Sequence, residues 1–326
     1  MTRHTRPQAA AMLLFTALAW GALFSVAKDA LASIDAFHLS ALRYVPAAIA
    51  MLAILALVEG PRALRLDGHG VRLWIYGSLG FAGFSNLAFL GIAGTSPEHA
   101  AIIASLMPLV TALLTWLLRG RRPPTATLVA IIVAFAGVLL VITHGRAHLP
   151  EDFSWTADAM VLAGVVCWVL YTMGSAHTPG FSPLRYTALS MAFGAVSIVA
   201  LALAAGALGR PAPTTAQVVA LAPEIAYLSV VAGVLAVLAW NAGVGTLGAP
   251  TGSLFVNLVP VTAFAIAIAQ GRRFGAAEIG GALLTIVALV AANVVNRAPT
   301  AAAPVPGRAV PALAAAAGPG ANRLRP

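Results

Sequence analysis

Charged residues are scarce in this sequence. Of its 326 residues, 9% are Asp, Glu, Lys or Arg, whereas an ordinary soluble domain has about 25%. Hydrophobic residues make up 60%, and the mean hydropathy is +0.92. A soluble chain of this length could not bury so much apolar surface, because single cores stop growing near ~250–300 residues. The composition excludes a soluble globular enzyme and a disordered chain, and it predicts a polytopic membrane protein.

Reactive and metal-binding side chains are also rare. Cys167 is the one cysteine and lies inside an apolar run, which excludes an intrachain disulfide framework and a cysteine metal cluster. The sequence has no H-E-x-x-H, G-x-S-x-G or Walker A motif. Its acidic residues lie at the ends of apolar runs or between them. We therefore predict no catalytic residues, no metal, no cofactor and no enzymatic activity.

Basic residues outnumber acidic ones, 19 to 10. On a soluble protein this excess would indicate a nucleic-acid partner. Here the arginines fall between apolar runs, where membrane proteins carry the basic residues of their cytoplasmic loops. The partners expected are therefore a small-molecule substrate and membrane lipids, and no nucleic acid. We expect function as a monomer, with an oligomer left open.

Ten apolar runs are candidates for transmembrane helices, each of which needs about 20 residues to cross ~30 Å of hydrocarbon. We predict an all-α protein with spans at about 8–27, 37–58, 72–93, 97–118, 124–143, 156–176, 182–206, 217–238, 249–270 and 275–296. Basic residues are biased toward one side when both termini are placed inside, which predicts a bacterial inner-membrane protein with cytoplasmic termini. The Pro-, Ala- and Gly-rich stretch 298–326 is interpreted as a disordered cytoplasmic tail.

The sequence contains an internal repeat. ALRY at 41–44 is echoed by PLRY at 183–186, and the stretch 105–122 is echoed by 257–273, in the same order. These matches predict two five-helix units, residues 1–145 and 146–297. Because five is odd, the second unit must cross the membrane in the opposite sense. Inverted repeats are typical of secondary transporters, which alternate access to a site between the two halves.

Trp20 in span 1, Arg43 in span 2 and the NLVP stretch at 257–260, on two five-helix halves, resemble the EamA group of the drug/metabolite transporter superfamily. The layout is most similar to bacterial exporters of amino acids and related metabolites, including aromatic amino acid exporters. The resemblance covers roughly residues 8–297 and implies a central cavity lined by helices 1, 3, 4, 6, 8 and 9. One departure is clear: members often carry an acidic residue after a Gly at the ends of helices 4 and 9, and both places here read GRR.

Prolines and polar residues inside the apolar spans are the first candidates for the site. Pro108 and Pro260 lie midway along spans 4 and 9, where each removes a backbone donor and predicts a kink with a gating role. The alternative is a packing kink. The polar candidates for substrate binding are Ser105, Asn86, Asn241 and Asn257; the alternative for the three amides is an interhelical hydrogen bond.

Aromatic residues are the second group of candidates. Trp20 and Phe24 share one helix face, as do Trp168 and Tyr171, and Trp240 precedes Asn241. Aromatic walls would suit an apolar or aromatic substrate, although core or lipid packing is an equal alternative. Arg43 is assigned to a structural or gating ion pair near the outer surface, with Asp29 or Asp35 as partner.

These features predict an exporter of small amphipathic metabolites, with amino acids, including aromatic and hydrophobic ones, as the first choice. A cation exporter would be expected to carry a carboxylate at mid-span, and a nucleotide-sugar carrier a Lys or Arg there. An interior almost free of charge favours a neutral or zwitterionic substrate over these two alternatives. A membrane-embedded enzyme or sensor is the non-transport alternative.

Overall fold

The computed structural model describes residues 5–120, 122–146 and 154–295, and all regular structure in these ranges is helical. Seven of the described helices are long and apolar enough to cross a membrane, or up to eight if each bent pair is one span. The prediction of an all-helical polytopic membrane protein is therefore confirmed. The count of ten spans stays a prediction, and the proposed tail at 298–326 lies outside the described residues.

We number the described helices in chain order. The first six are α1 (Arg6–Leu31), α2 (Ala36–Val58), α3 (Gly70–Gly94), α4 (Pro97–Ser105), α5 (Met107–Arg119) and α6 (Thr125–Thr143). The others are α7 (Trp155–Gly174), α8 (Pro183–Ala207), α9 (Thr215–Ala220), α10 (Ala222–Leu247), α11 (Ala249–Val256), α12 (Leu258–Ala269) and α13 (Ala276–Val295). Short 3₁₀ helices cover Pro61–Leu64 and Ser175–His177.

Serine followed by proline starts two of these helices. The hydroxyl of Ser96 accepts a hydrogen bond from the backbone N–H of His99, and that of Ser182 accepts one from the N–H of Arg185. Pro97 then follows at the first position of α4, where its missing N–H leaves no bond unmade. These local signals fix where the chain enters α4 and α8.

Four helical irregularities interrupt the long helices. Residues Ser78–Gly83 of α3 and Tyr227–Leu235 of α10 are π-helical, a conformation that is rare and frequent at functional sites. Leu106 separates α4 from α5, whose axes differ by 44°, and Asn257 separates α11 from α12. Leu106 and Asn257 are as far apart in the chain as Ser78 and Ser229 of the two π-helical segments.

Pro108 and Pro260 lie just after the two breaks. Pro108 is the second residue of α5 and Pro260 the third residue of α12. The first turn of a helix is where proline is tolerated, since its N–H would have no intrahelical partner there. The sequence placed both prolines midway along continuous helices, whereas each follows a point where the helix is already interrupted.

Helices from the two parts of the chain pack on each other. The main neighbours are α1 with α10 and α12, α3 with α7, α2 with α8, and α6 with α13. The last pair is in very close contact: a Cβ atom added to Gly137 would lie 2.6 Å from the carbonyl oxygen of Gly281, and the reverse distance is also 2.6 Å. Small residues at such crossings allow two membrane helices to pack backbone to backbone.

Candidate functional site

Trp20 of α1 and Trp240 of α10 form an aromatic pair. Their ring centroids are 5.5 Å apart and the rings are tilted by 41°, a separation typical of attractive aromatic contacts. The indole N–H of Trp20 donates a 3.3 Å hydrogen bond to the carbonyl oxygen of Ala232, inside the π-helical segment of α10. Both indoles are only half-buried, so each retains surface that a ligand can contact.

Trp168 of α7 belongs to a second aromatic cluster. Its ring centroid lies 5.2 Å from that of Phe84, 5.2 Å from that of Tyr171 and 6.0 Å from that of Phe81. Tyr171 is buried and stacks on Tyr186 of α8, whose hydroxyl donates a 2.7 Å hydrogen bond to the carbonyl oxygen of Tyr171. Trp168 is half-buried and therefore forms the accessible side of the cluster, whereas Tyr171 is part of the core.

The three predicted amides have unused hydrogen-bonding capacity. Asn86 donates through Nδ2 to the carbonyl oxygen of Ala82 at 2.8 Å, while its Oδ1 has no partner among the described residues. The same holds for Nδ2 of Asn241 and for both side-chain atoms of Asn257. Asn86 and Asn257 are buried, and Asn257 lies at the break between α11 and α12. Buried polar groups normally find partners, so these atoms are suited to a bound ligand or water.

Phe24 and Ser105 lie in the packed interior. Phe24 is buried in the larger of the two core clusters, together with Phe89 of α3. Ser105 is fully buried, and its hydroxyl donates a 2.6 Å hydrogen bond to the carbonyl oxygen of Ile102, one turn earlier in α4. Packing and a local hydrogen bond therefore account for both side chains.

The predicted ion pair of Arg43 with Asp29 or Asp35 is wrong. Arg43 is 3% exposed, and its Nε and Nη1 atoms have no hydrogen-bond partner within the described part of the chain. Asp35 instead caps α2 and pairs with His38, and Asp29 points to the exterior. The face of α2 that carries Arg43 turns inward, so the expectation of an interior almost free of charge is also wrong.

A group of charged side chains at one end of the bundle was not predicted. Glu98, in the first turn of α4, is buried and accepts a 2.6 Å hydrogen bond from Arg272, which follows α12. The ammonium group of Lys28 donates to the carbonyl oxygens of Ile92, Ala93 and Thr95. Glu278 of α13 likewise pairs with His144. These contacts join several helix ends that are distant in sequence.

Charged residues also join the other end. Arg185 of α8 forms a 2.6 Å ion pair with Asp67 and donates to the carbonyl oxygens of Ala63 and Arg65. The hydroxyl of Ser182 donates to Glu59 at 2.6 Å. A cleft of about 420 Å³ is lined by these residues, but its walls are loop residues already paired with each other. We therefore place the candidate site at the aromatic residues and amides between the two ends.

The structure brings only some of the predicted residues together. Trp20 contacts Trp240, and Trp168 contacts Tyr171. Trp240 also adjoins α11, because a Cβ atom on Gly252 would lie 3.3 Å from its ring. Phe81 and Phe84 contact Trp168 and escaped prediction, although their spacing from Gly80 and Gly83 is a local signal for close helix packing.

The sequence profile of the EamA-like transporter family matches residues 8–143 and, a second time, residues 155–294. Two Bacillus subtilis (strain 168) proteins are similar over most of their length. The uncharacterized transporter YrdR is 31% identical over 293 residues, covering 87% of this chain and 90% of that protein. The uncharacterized transporter YyaM is 33% identical over 290 residues, covering 88% and 94%.

Two more distant similarities complete the comparison. The aromatic amino acid exporter YddG of Ancylobacter novellus is 25% identical over 170 residues, covering 51% of this chain and 58% of that protein. A protein of known crystal structure with 22% identity covers 90% of this chain and 100% of its own, with a TM-score of 0.61. At that identity, the structural likeness shows the fold alone.

Proposed function

The chain belongs to the EamA-like transporter family, and on this premise we propose that it exports small amphipathic metabolites, with amino acids as the expected cargo. The family and the similar proteins are named as transporters, which confirms the predictions of a small-molecule substrate and of a chain that is not an enzyme. The narrower proposal of aromatic and hydrophobic amino acids is supported by the distant similarity to an aromatic amino acid exporter.

One observation carries this proposal: half-exposed indoles occur on both α1 and α7, close to helices that hold unpartnered amides. Trp20 and Trp168 offer flat apolar surface on which an aromatic or aliphatic side chain would be buried. The amides of Asn86 and Asn257 offer donors and acceptors to a polar headgroup. An unsatisfied buried polar group costs about 1–3 kcal/mol, so a substrate that fills these bonds would recover that free energy.

The proposed architecture is ten spans in two inverted halves, 1–145 and 146–297. Three features support it. The family profile matches twice, the π-helical segments and helix breaks recur at equal spacing, and the packing of α1 on α10 has a counterpart in the packing of α7 on α3. Such halves allow alternating access, because each can adopt the conformation of the other while the site between them stays in place.

We further propose the bacterial inner membrane as location, with both termini in the cytoplasm. This orientation would place Arg272 on the outer side, against the general bias of basic residues. Its ion pair with buried Glu98 gives that arginine a structural role there. The pairing also accords with the proposed repeat, in which Arg272 corresponds to an arginine on the inner side in the first half.

The alternatives within transport are a drug-like cation exporter and a nucleotide-sugar carrier. A cation site would need a central carboxylate, and the buried acidic residues in the described ranges, Glu98, Asp158 and Glu278, lie in the first turns of their helices. A nucleotide-sugar carrier would need central basic residues, and Arg43 is one such residue. A sensor without transport activity is the remaining alternative.

Flux through purified protein tests the proposal. The protein would be reconstituted in liposomes loaded with labelled phenylalanine, leucine or glutamate, and efflux would be measured with and without a pH gradient. We expect phenylalanine and leucine to leave faster than from empty-membrane liposomes, and glutamate to leave at the background rate. Background efflux of every amino acid, together with flux of a cationic dye or a nucleotide sugar, would replace this proposal with the corresponding alternative.

A further inference from the structure

Arg43 is a buried cation without an anion. It is the eighth residue of α2 and is 3% exposed. The buried acids of the described ranges have other neighbours: Glu98 pairs with Arg272, Glu278 pairs with His144, and Asp158 lies beside Thr95. Nε and Nη1 of the guanidinium therefore point two donors at no acceptor among the described residues.

Aromatic rings cover the flat face of the guanidinium but leave these donors unused. The Cζ atom of Arg43 lies 4.5 Å from the ring centroid of Tyr44 and 5.7 Å from that of Phe89. Such cation–π contacts stabilise the charge through the ring faces. They supply no acceptor in the plane of the guanidinium, where the N–H groups point, so the hydrogen bonds of Nε and Nη1 are still missing.

The depth of Arg43 along the helices matches that of the proposed site. Trp20 bonds to the carbonyl of Ala232, and the next residue, Gly233, lies against Ala47, to whose Cβ an added Cβ would be 3.4 Å distant. Ala47 follows Arg43 by four residues, which is about 6 Å along a helix. The guanidinium thus lies within roughly one helical turn of the level of Trp20.

We propose that Arg43 binds the carboxylate of the transported substrate. The inference rests on the proposed function and narrows it to substrates that carry a carboxylate. A guanidinium presents its N–H donors in a planar fork that matches the two oxygens of a carboxylate. Asn86 lies one turn before Phe89 on α3, and its unpartnered Oδ1 is an acceptor suited to the substrate ammonium group. This pair of groups distinguishes an α-amino acid from an amine.

The test compares ligands that differ only in charged groups. Inhibition of labelled phenylalanine flux would be measured with 3-phenylpropionate, which keeps the carboxylate, and with phenylalanine amide, which lacks it. For the wild type we expect inhibition by 3-phenylpropionate at a concentration at least about tenfold lower, as a charge-assisted hydrogen bond implies. Arg43→Gln should abolish this difference, Arg43→Lys should restore part of it, and Arg119→Gln, an exposed arginine, should leave it unchanged.

A binding measurement separates this inference from the proposed function. Thermal stabilisation of the detergent-solubilised protein by 3-phenylpropionate needs no transport, so it tests Arg43 even where phenylalanine flux is absent. Stabilisation of the wild type that Arg43→Gln removes supports the carboxylate site. Equal inhibition of the wild type by both ligands, or stabilisation by chloride or sulfate with none from 3-phenylpropionate, would overturn it; the latter result would assign Arg43 to an inorganic anion.

Discussion

Arg272 holds the buried carboxylate of Glu98 through a 2.6 Å hydrogen bond, and this contact joins the start of α4 to the end of α12. The two residues belong to the two halves matched by the family profile. Opening of this end of the bundle would separate the halves and leave the carboxylate without its cation. The ion pair therefore favours the conformation that is closed at this end.

Removal of the cation should open this end more often. We expect Arg272→Gln to raise the rate at which a membrane-impermeant maleimide labels Thr95→Cys, in a Cys167→Ala background, by about three- to tenfold. One partly screened charged hydrogen bond contributes on the order of 1 kcal/mol, which corresponds to this range. The neighbouring Arg273→Gln is the matched control, because Arg273 is exposed and outside the pair. An unchanged labelling rate in Arg272→Gln would contradict a closing role.

Lys28 should stabilise the same end by a different contact. Its ammonium group donates to the carbonyl oxygens of Ile92, Ala93 and Thr95 at 2.8–3.0 Å, where α3 ends and carbonyls lack helical partners. A cation at a helix C-terminus is also favoured by the helix dipole. We expect Lys28→Met to lower the free energy of unfolding by about 1–3 kcal/mol. Thermal unfolding in detergent measures this, and Lys28→Arg should lose less; equal loss in both variants would argue against the capping contact.

Helix positions were predictable from the sequence because the bilayer imposes them. An apolar run of about 20 residues is required for each crossing, so the runs beginning near residues 8, 37, 124, 156 and 182 coincide with α1, α2, α6, α7 and α8. The breaks near Pro108 and Pro260 also had a local signal, since proline cannot donate a helical hydrogen bond. These features depend on residues close together in the chain.

The inward face of each helix was not predictable in the same way. In a membrane both lipid and protein interior are apolar, so α2 has no polar face to show which side is buried. Arg43 was therefore placed near the surface, although it is 3% exposed. The π-helical segment of α3 depends on packing with another helix, where Gly80 lies against the ring of Tyr171. The pair Glu98–Arg272 joins residues that no local pattern connects.

The crossing of α6 and α13 offers a test of backbone contact with an adjacent control. A Cβ atom on Gly281 would meet the carbonyl oxygen of Gly137 at 2.6 Å, whereas one on Gly280 would meet nothing within 4 Å. We expect Gly281→Ala to destabilise the protein by about 1–3 kcal/mol, because the helices must move apart. Gly280→Ala should be neutral or slightly stabilising, since alanine favours the helix over glycine. Similar thermal midpoints for the two variants would contradict this crossing.

The candidate site is tested most directly by shortening its accessible aromatic and amide side chains. Trp20→Ala, Trp168→Ala and Asn257→Ala should each raise the phenylalanine concentration for half-maximal flux by about tenfold or more. Loss of one aromatic wall or of one ligand hydrogen bond is worth roughly 1–3 kcal/mol. Trp74→Ala is the matched control, because Trp74 is half-exposed and lies away from the two aromatic clusters, bonded to Ser197.

Replacement by phenylalanine separates stacking from hydrogen bonding at Trp20. Trp20→Phe keeps a flat ring beside Trp240 but loses the N–H that bonds to Ala232. If stacking on the substrate dominates, Trp20→Phe should retain most of the flux that Trp20→Ala loses, with equal amounts of folded protein in the membrane. Loss of flux in both variants would assign Trp20 to holding the π-helical segment of α10. Wild-type flux in Trp20→Ala, Trp168→Ala and Asn257→Ala together would place the substrate elsewhere in the bundle.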